Sequence, residues 1–175
     1  NHPIYNPSLD YSVYLSQPFF FVLFQILILL TTVYTVGIEI KFRTATDWLA
    51  TAKGNMITAV LGKLLPYTFI YILIGWLGNY VMFGILHIPF QGSWWLINMI
   101  TVLFVIATQA LGLFIFSLFP AVSLVISVVS MVGSLGATLS GVTFPVSNMY
   151  PLVRDASYLF PVRHFTEMIQ TMLYG

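Results

Sequence analysis

Residues 18–38 read PFFFVLFQILILLTTVYTVGI, and residues 39–63, which follow, read EIKFRTATDWLATAKGNMITAVLGK. The first stretch holds no Asp, Glu, Lys or Arg. The second holds Lys41, Arg43, Lys53 and Lys63, four of the six Lys and Arg in the chain. A helix rises about 1.5 Å per residue, so about 20 apolar residues cross a hydrocarbon core of about 30 Å. Pro18–Ile38 meets that length, and so do three later runs, Ala59–Leu86, Trp94–Phe119 and Ala121–Thr143. The expected fold class is all-α: a polytopic membrane helix bundle with four spans.

Composition agrees. Hydrophobic residues make up 59% of the 175 residues and charged residues only 6%, against about 25% charged in soluble domains. A chain this small cannot bury so much apolar surface in water. A net charge of +1 creates no field for nucleic acid. With no cysteine there is no disulfide, thiolate nucleophile or Cys metal site. The start at Asn1 without Met, and the end at Gly175, lead us to expect a piece of a longer membrane protein with further spans.

The basic residues orient the bundle. Positive charge stays on the cytoplasmic side, so 39–63 is read as a cytoplasmic loop within a transmembrane domain of 18–143. Alternation places 1–17, the loop at His87–Ser93 and the segment 144–175 outside, with a tight turn at Pro120 inside. Tyr11, Tyr14, Trp94 and Trp95 sit at headgroup depth on the outer side. Arg154 and Arg163 oppose the rule and are assigned to a folded cap. Pro145, Pro151 and Pro161 divide that cap into short helices, roughly Val146–Leu159 and Val162–Tyr174, read as interfacial or re-entrant. Pro66 and the glycines Gly75, Gly78 and Gly84 predict a tilted or kinked second span.

The loop contains a helix signal. Thr44 followed by Asp47 is a capping-box variant, Ala45, Trp48, Leu49 and Ala52 recur on one helical face, and Gly54-Asn55 is a stop. Two readings stand: an interfacial anchor with Trp48 in lipid, or a docking helix for a cytoplasmic subunit with Trp48 as its anchor. In the fourth run, Ser123, Ser127, Ser130 and Ser134 recur at helical spacing, continuing to Thr138 and Gly141. Such residues let helices pack closely; the stripe is either plain packing or a face toward a partner and a transport path.

Catalytic signals are poor. His2, His87 and His164 lack ligand spacing. Asp155 and Glu167 read as solvated acids or partners of Arg154 and Arg163. Arg163-His164 and Arg154-Asp155 are also candidates for binding a lipid headgroup or a periplasmic partner. Gly62-Lys63-Leu64 lacks the flanks of a phosphate loop. Past Lys63 the spans hold no ionisable Asp, Glu, Lys or Arg, which argues against an ion-coupled carrier. Gln25, Asn79, Asn98 and Gln109 are read as interhelical hydrogen bonds before substrate contacts.

The run Glu39-Ile-Lys-Phe-Arg-Thr-Ala-Thr-Asp-Trp-Leu, then Leu61-Gly-Lys-Leu-Leu-Pro-Tyr67, resembles the cytoplasmic stretch of type-2 ABC transporter permeases of the drug-efflux branch. So does Ser140-Gly-Val-Thr-Phe-Pro145, with Met149-Tyr-Pro151 and Leu159-Phe-Pro161 behind it. The resemblance covers Glu39–Gly175, with the residues before it fitting the family's extracytoplasmic domain and second span. It implies a six-span permease of which this chain holds the second to the fifth. It implies that Thr44–Lys53 is a coupling helix seated on a separate ATPase subunit, through Thr44, Ala45, Asp47, Trp48, Leu49 and Ala52. The family shows an Arg-Glu pair and then Gly-Thr here; this chain has Ile38-Glu39 and Arg43-Thr44.

The resemblance further implies a second permease, as homodimer or heterodimer. Gln25, Thr32, Ser123, Ser127, Ser130, Ser134 and Thr138 are the residues expected at the dimer interface or transport path. A periplasmic adaptor is a further candidate partner, and membrane lipid surrounds the spans. The chain itself is expected to bind no cofactor, with ATP and Mg on the partner ATPase, and to lie in a bacterial inner membrane. The implied activity is ATP-driven export of an amphipathic or apolar substrate; a secondary carrier or channel, or a structural membrane subunit, is the alternative.

Overall fold

The computed structural model describes residues 11–86, 92–119, 121–139, 150, 153, 155, 157–158 and 160–174. The expected turn at Pro120, the loop at 87–91, the Ser140–Pro145 motif and Arg154 lie outside them, as do residues 1–10. Among the described residues the regular structure is helical: α1 (Tyr11–Lys41), α2 (Ala45–Thr51), α3 (Met56–Asn79), α4 (Trp94–Leu118), α5 (Val122–Leu139) and α6 (Pro161–Tyr174).

Among the described residues, three helices are long and apolar enough to cross a membrane: Pro18–Lys41, Met56–Ile85 and Trp94–Leu118. The fourth expected run appears as a shorter apolar helix, Val122–Gly136, and its expected last residues, 140–143, lie outside the described ones. Helix α1 starts seven residues before Pro18 and runs straight through it. The second span is α-helical through Pro66, Gly75 and Gly78, and its far end, Tyr80–Ile85, forms a π-helical segment. Gly75 serves close packing. A Cβ there would lie 2.5 Å from Thr101 Cγ2 of α4, so the missing side chain lets the two helices touch. In lipid such packing, with no solvent-driven term, holds helices together.

Helix α1 is the centre of the bundle, packed by α3, α4, α5 and α6. Two core layers run along it. At the end away from the basic loop, Phe21 of α1, Phe104 of α4 and Phe165 of α6 interlock, with ring centroids 3.9 Å apart for Phe21–Phe165 and 4.9 Å for Phe104–Phe165. Nearer the basic loop, Leu29 and Val33 of α1 pack with Ile115 of α4 and Val125 and Val129 of α5. The perimeter is apolar: Phe69, Leu77, Trp95, Leu103 and Phe114 are exposed, the surface a bilayer solvates and water does not.

Candidate functional site

The basic loop folds into a compact bracket. Helix α1 closes with Arg43 in the left-handed region (φ 58°); Arg43 N–H donates to Ile40 O (3.3 Å) and Thr44 N–H to Glu39 O (2.9 Å). Helix α2 closes the same way. Lys53 takes φ 54°, its N–H donates to Ala50 O (3.0 Å), and Gly54 N–H donates to Leu49 O (2.9 Å). This is the Schellman pattern, which satisfies carbonyls that a helix end would leave open. Glycine is its usual left-handed residue; here two basic residues occupy that position.

Two sequence expectations change in detail. Thr44 precedes α2, but its side chain makes no capping bond; the hydroxyl donates to the Glu39 carboxylate instead, an ionised oxygen being the stronger acceptor. Of the Gly54-Asn55 stop, Gly54 lies past the end of α2 and closes it through its N–H, whereas Asn55 caps the start of α3: its Oδ1 accepts from Ile57 N–H (3.0 Å) and Thr58 N–H (3.3 Å).

Ala45, Trp48, Leu49 and Ala52 form the half-buried face of α2, while Thr44, Thr46, Asp47, Ala50 and Thr51 are exposed. The half-buried face rests on the bases of α1 and α3. Lys63 of α3 organises the contact. Its ammonium is ion-paired with the Glu39 carboxylate and lies 5.2 Å from the centre of the Trp48 ring, within cation–π range. Glu39 therefore accepts from Thr44 and Lys63 together. The sequence did not pair Glu39 with Lys63. The available signal was that an acid opens the 39–63 loop and a base closes it.

On α5, Val125, Val129, Gly133 and Gly136 are buried, and Ser123, Ser127, Ser130 and Ser134 are exposed. Ser127 and Ser130 donate back to carbonyls one turn earlier, Ser123 O (3.2 Å) and Ile126 O (2.9 Å), so these hydroxyls are tolerable in an apolar medium. The Thr138 side chain lies outside the described residues. Gln25 and Thr32 sit inside the bundle, 0% and 1% exposed. Gln25 Oε1 accepts from Val162 N–H at the start of α6 (3.0 Å); Thr32 donates to Ile28 O (2.7 Å).

Beside the stripe, a cavity of about 320 Å³ opens between α1, α3 and α5, lined by Leu30, Thr31, Tyr34, Thr35, Tyr67 and Ile126. Tyr71 O–H donates to Thr31 Oγ1 beside it (2.6 Å). The lining is uncharged, aromatic and hydroxyl-bearing.

The other intramembrane amides tie helices together: Thr68 donates to Gln109 Oε1 (2.7 Å), and Asn79 Nδ2 donates to Thr101 Oγ1 (2.9 Å) and Asn98 Oδ1 (3.3 Å). At the start of α6, Arg163 is 1% exposed. It pairs with Glu167 (3.0 Å) and stacks its guanidinium 4.0 Å from the Tyr158 ring centre. Its charge is thus held within the cap. Among the described residues no group of three His, Asp or Glu is placed to hold a metal.

Residues 1–175 match the family model described as ABC-2 family transporter protein. Two curated relatives, each called "Probable multidrug ABC transporter permease YbhS", come from Escherichia coli strain K12 and from Escherichia coli O157:H7. Each is 29% identical over 117 residues, which cover 65% of this chain and 30% of the relative. The match thus spans less than a third of the relatives' length. No solved structure matches the chain. Apolar crossing helices and a family match over every residue lead to one assignment: the chain is an integral membrane protein of the ABC-2 transporter family.

Proposed function

We propose that this chain is part of the membrane-spanning permease subunit of an ATP-driven exporter, moving an amphipathic or apolar substrate outward by alternating access. The observation that carries this reading is the bracketed helix α2. It stands at the basic end of the bundle, joined to the bases of both α1 and α3. A separate ATPase, holding ATP and Mg, docks on α2. Thr44 and Asp47 face that partner, while Ala45, Trp48, Leu49 and Ala52 carry its motion inward to the spans. Helix α5 completes a fourth crossing, with the basic loop in the cytoplasm of a bacterial inner membrane. The start of α6, bonded to Gln25 well inside the apolar run of α1, supports a re-entrant reading of that helix.

A second permease meets the Ser123, Ser127, Ser130 and Ser134 face. The uncharged cavity by Tyr34 and Tyr67 receives the substrate; its lining suits an apolar body with a few polar groups better than an ion. Gln25 and Thr32 stand behind that path and hold its wall. A periplasmic adaptor is a further partner to look for.

The test is Trp48→Ala in the full-length permease with its ATPase in proteoliposomes. Expected are normal insertion, continued ATP hydrolysis and loss of export. Normal export by that variant, or crosslinkers around α2 that capture only phospholipid with the ATPase present, would overturn the docking reading.

A further inference from the structure

We infer that Lys63 is a positioning residue that locks the docking helix to both neighbouring spans, so that a push on α2 moves the bases of α1 and α3 as one block. The inference rests on the exporter reading above and adds the element that transmits force within it. Three contacts converge on one ammonium and its partner. Lys63 belongs to α3 and ion-pairs with Glu39 of α1. The same ammonium covers the Trp48 ring of α2. The Glu39 carboxylate also accepts the hydroxyl of Thr44, the residue that leads into α2. Both charged side chains are half-buried, 22% exposed for Lys63 and 19% for Glu39, so salt screens the pair less than it would a fully exposed one.

The connectors make such a lock necessary. Only 42–44 link α1 to α2, and only 52–55 link α2 to α3. The first connector turns at one left-handed residue, Arg43, and the second at two, Lys53 and Gly54. A short helix held by two such short turns can swing about them, and swinging dissipates a push. The Glu39–Lys63–Trp48 contact crosses both hinges and removes that freedom.

Lys63→Met keeps much of the stem packing over Trp48 and removes the charge. In the full-length permease with its ATPase, it is expected to retain assembly and ATP turnover and to lose export per ATP several-fold. Lys63→Arg, which keeps the charge over the ring, is expected to stay close to the unaltered protein. Glu39→Gln should lose export per ATP as Lys63→Met does, and the double variant should be no worse than either single one, because all remove the same contact. Additive losses, or full export per ATP in Lys63→Met, would overturn the inference.

A second measurement needs no ATPase. These 175 residues hold no cysteine; with any cysteine elsewhere in the permease replaced, spin labels at Ala50→Cys and Leu61→Cys, both exposed positions, report the α2–α3 distance in the permease alone. A narrow distribution that broadens with Lys63→Met supports the lock; an unchanged distribution overturns it. If the unaltered protein with its ATPase shows no ATP-dependent export, the exporter reading fails, and the distance measurement still separates that failure from one of the lock.

Discussion

Arg43 takes a conformation that suits glycine better. Its φ of 58° brings Cβ close to the backbone, at a cost of about 1–2 kcal/mol for an L-residue. Arg43→Gly should therefore raise stability by about 1 kcal/mol, and Arg43→Val should lower it, in thermal unfolding of the purified protein. Gln25 is the second informative residue. Its carbonyl is the acceptor for the Val162 N–H at the start of α6, and both groups are buried. Gln25→Leu leaves that N–H without this partner and should destabilise the bundle by about 1–3 kcal/mol, read by denaturant or thermal unfolding in detergent. Insertion should be unaffected, because the change makes α1 more apolar.

Among the elements, α3 depends most on close contact. Much of its surface is exposed, so it is held to α1 and α4 at few places. Gly75 is one of them, its position lying against Thr101 Cγ2. Gly75→Ala should cost about 1–3 kcal/mol by overpacking and weaken the nearby Asn79–Thr101 bond. Thr101→Ser removes the methyl and keeps the hydroxyl, so the double variant should recover most of the loss. Failure to recover would mean that the glycine serves something other than this contact. Helix α2 teaches a different lesson. Its spacing of Ala45, Trp48, Leu49 and Ala52 correctly marks one face, yet the same spacing is silent about what the face touches. The structure turns it toward the chain's own α1 and α3 and leaves Asp47 outward.

For the whole molecule, the proposed assembly predicts where a second permease meets this one. Ser130→Cys on the outward face of α5 should form a disulfide with the same residue, or with its counterpart in a related partner, under mild oxidation in membranes. Leu103→Cys, exposed on α4, should not. Equal crosslinking at both positions would point to random collision, and crosslinking at Leu103→Cys alone would move the interface to α4. Much of the arrangement was legible beforehand. Long uncharged runs such as 18–38 mark crossing helices because a backbone in lipid must satisfy its own hydrogen bonds. The pairing of Arg163 with Glu167 follows from their spacing on one helix face.

By itself the sequence determined the solvent, the helices and the family. Those follow from local properties: apolar length, charge placement and motif order. Only the tertiary structure decided which faces meet. Lipid tails are as apolar as leucine, so hydrophobicity does not tell a lipid-facing side of α3 from a packed one. Shape and a few polar contacts make that choice: Thr101 pressed on Gly75, Gln25 on the start of α6, and Lys63 closing over Trp48 onto Glu39. These partners lie far apart along the chain and meet only when the helices have packed.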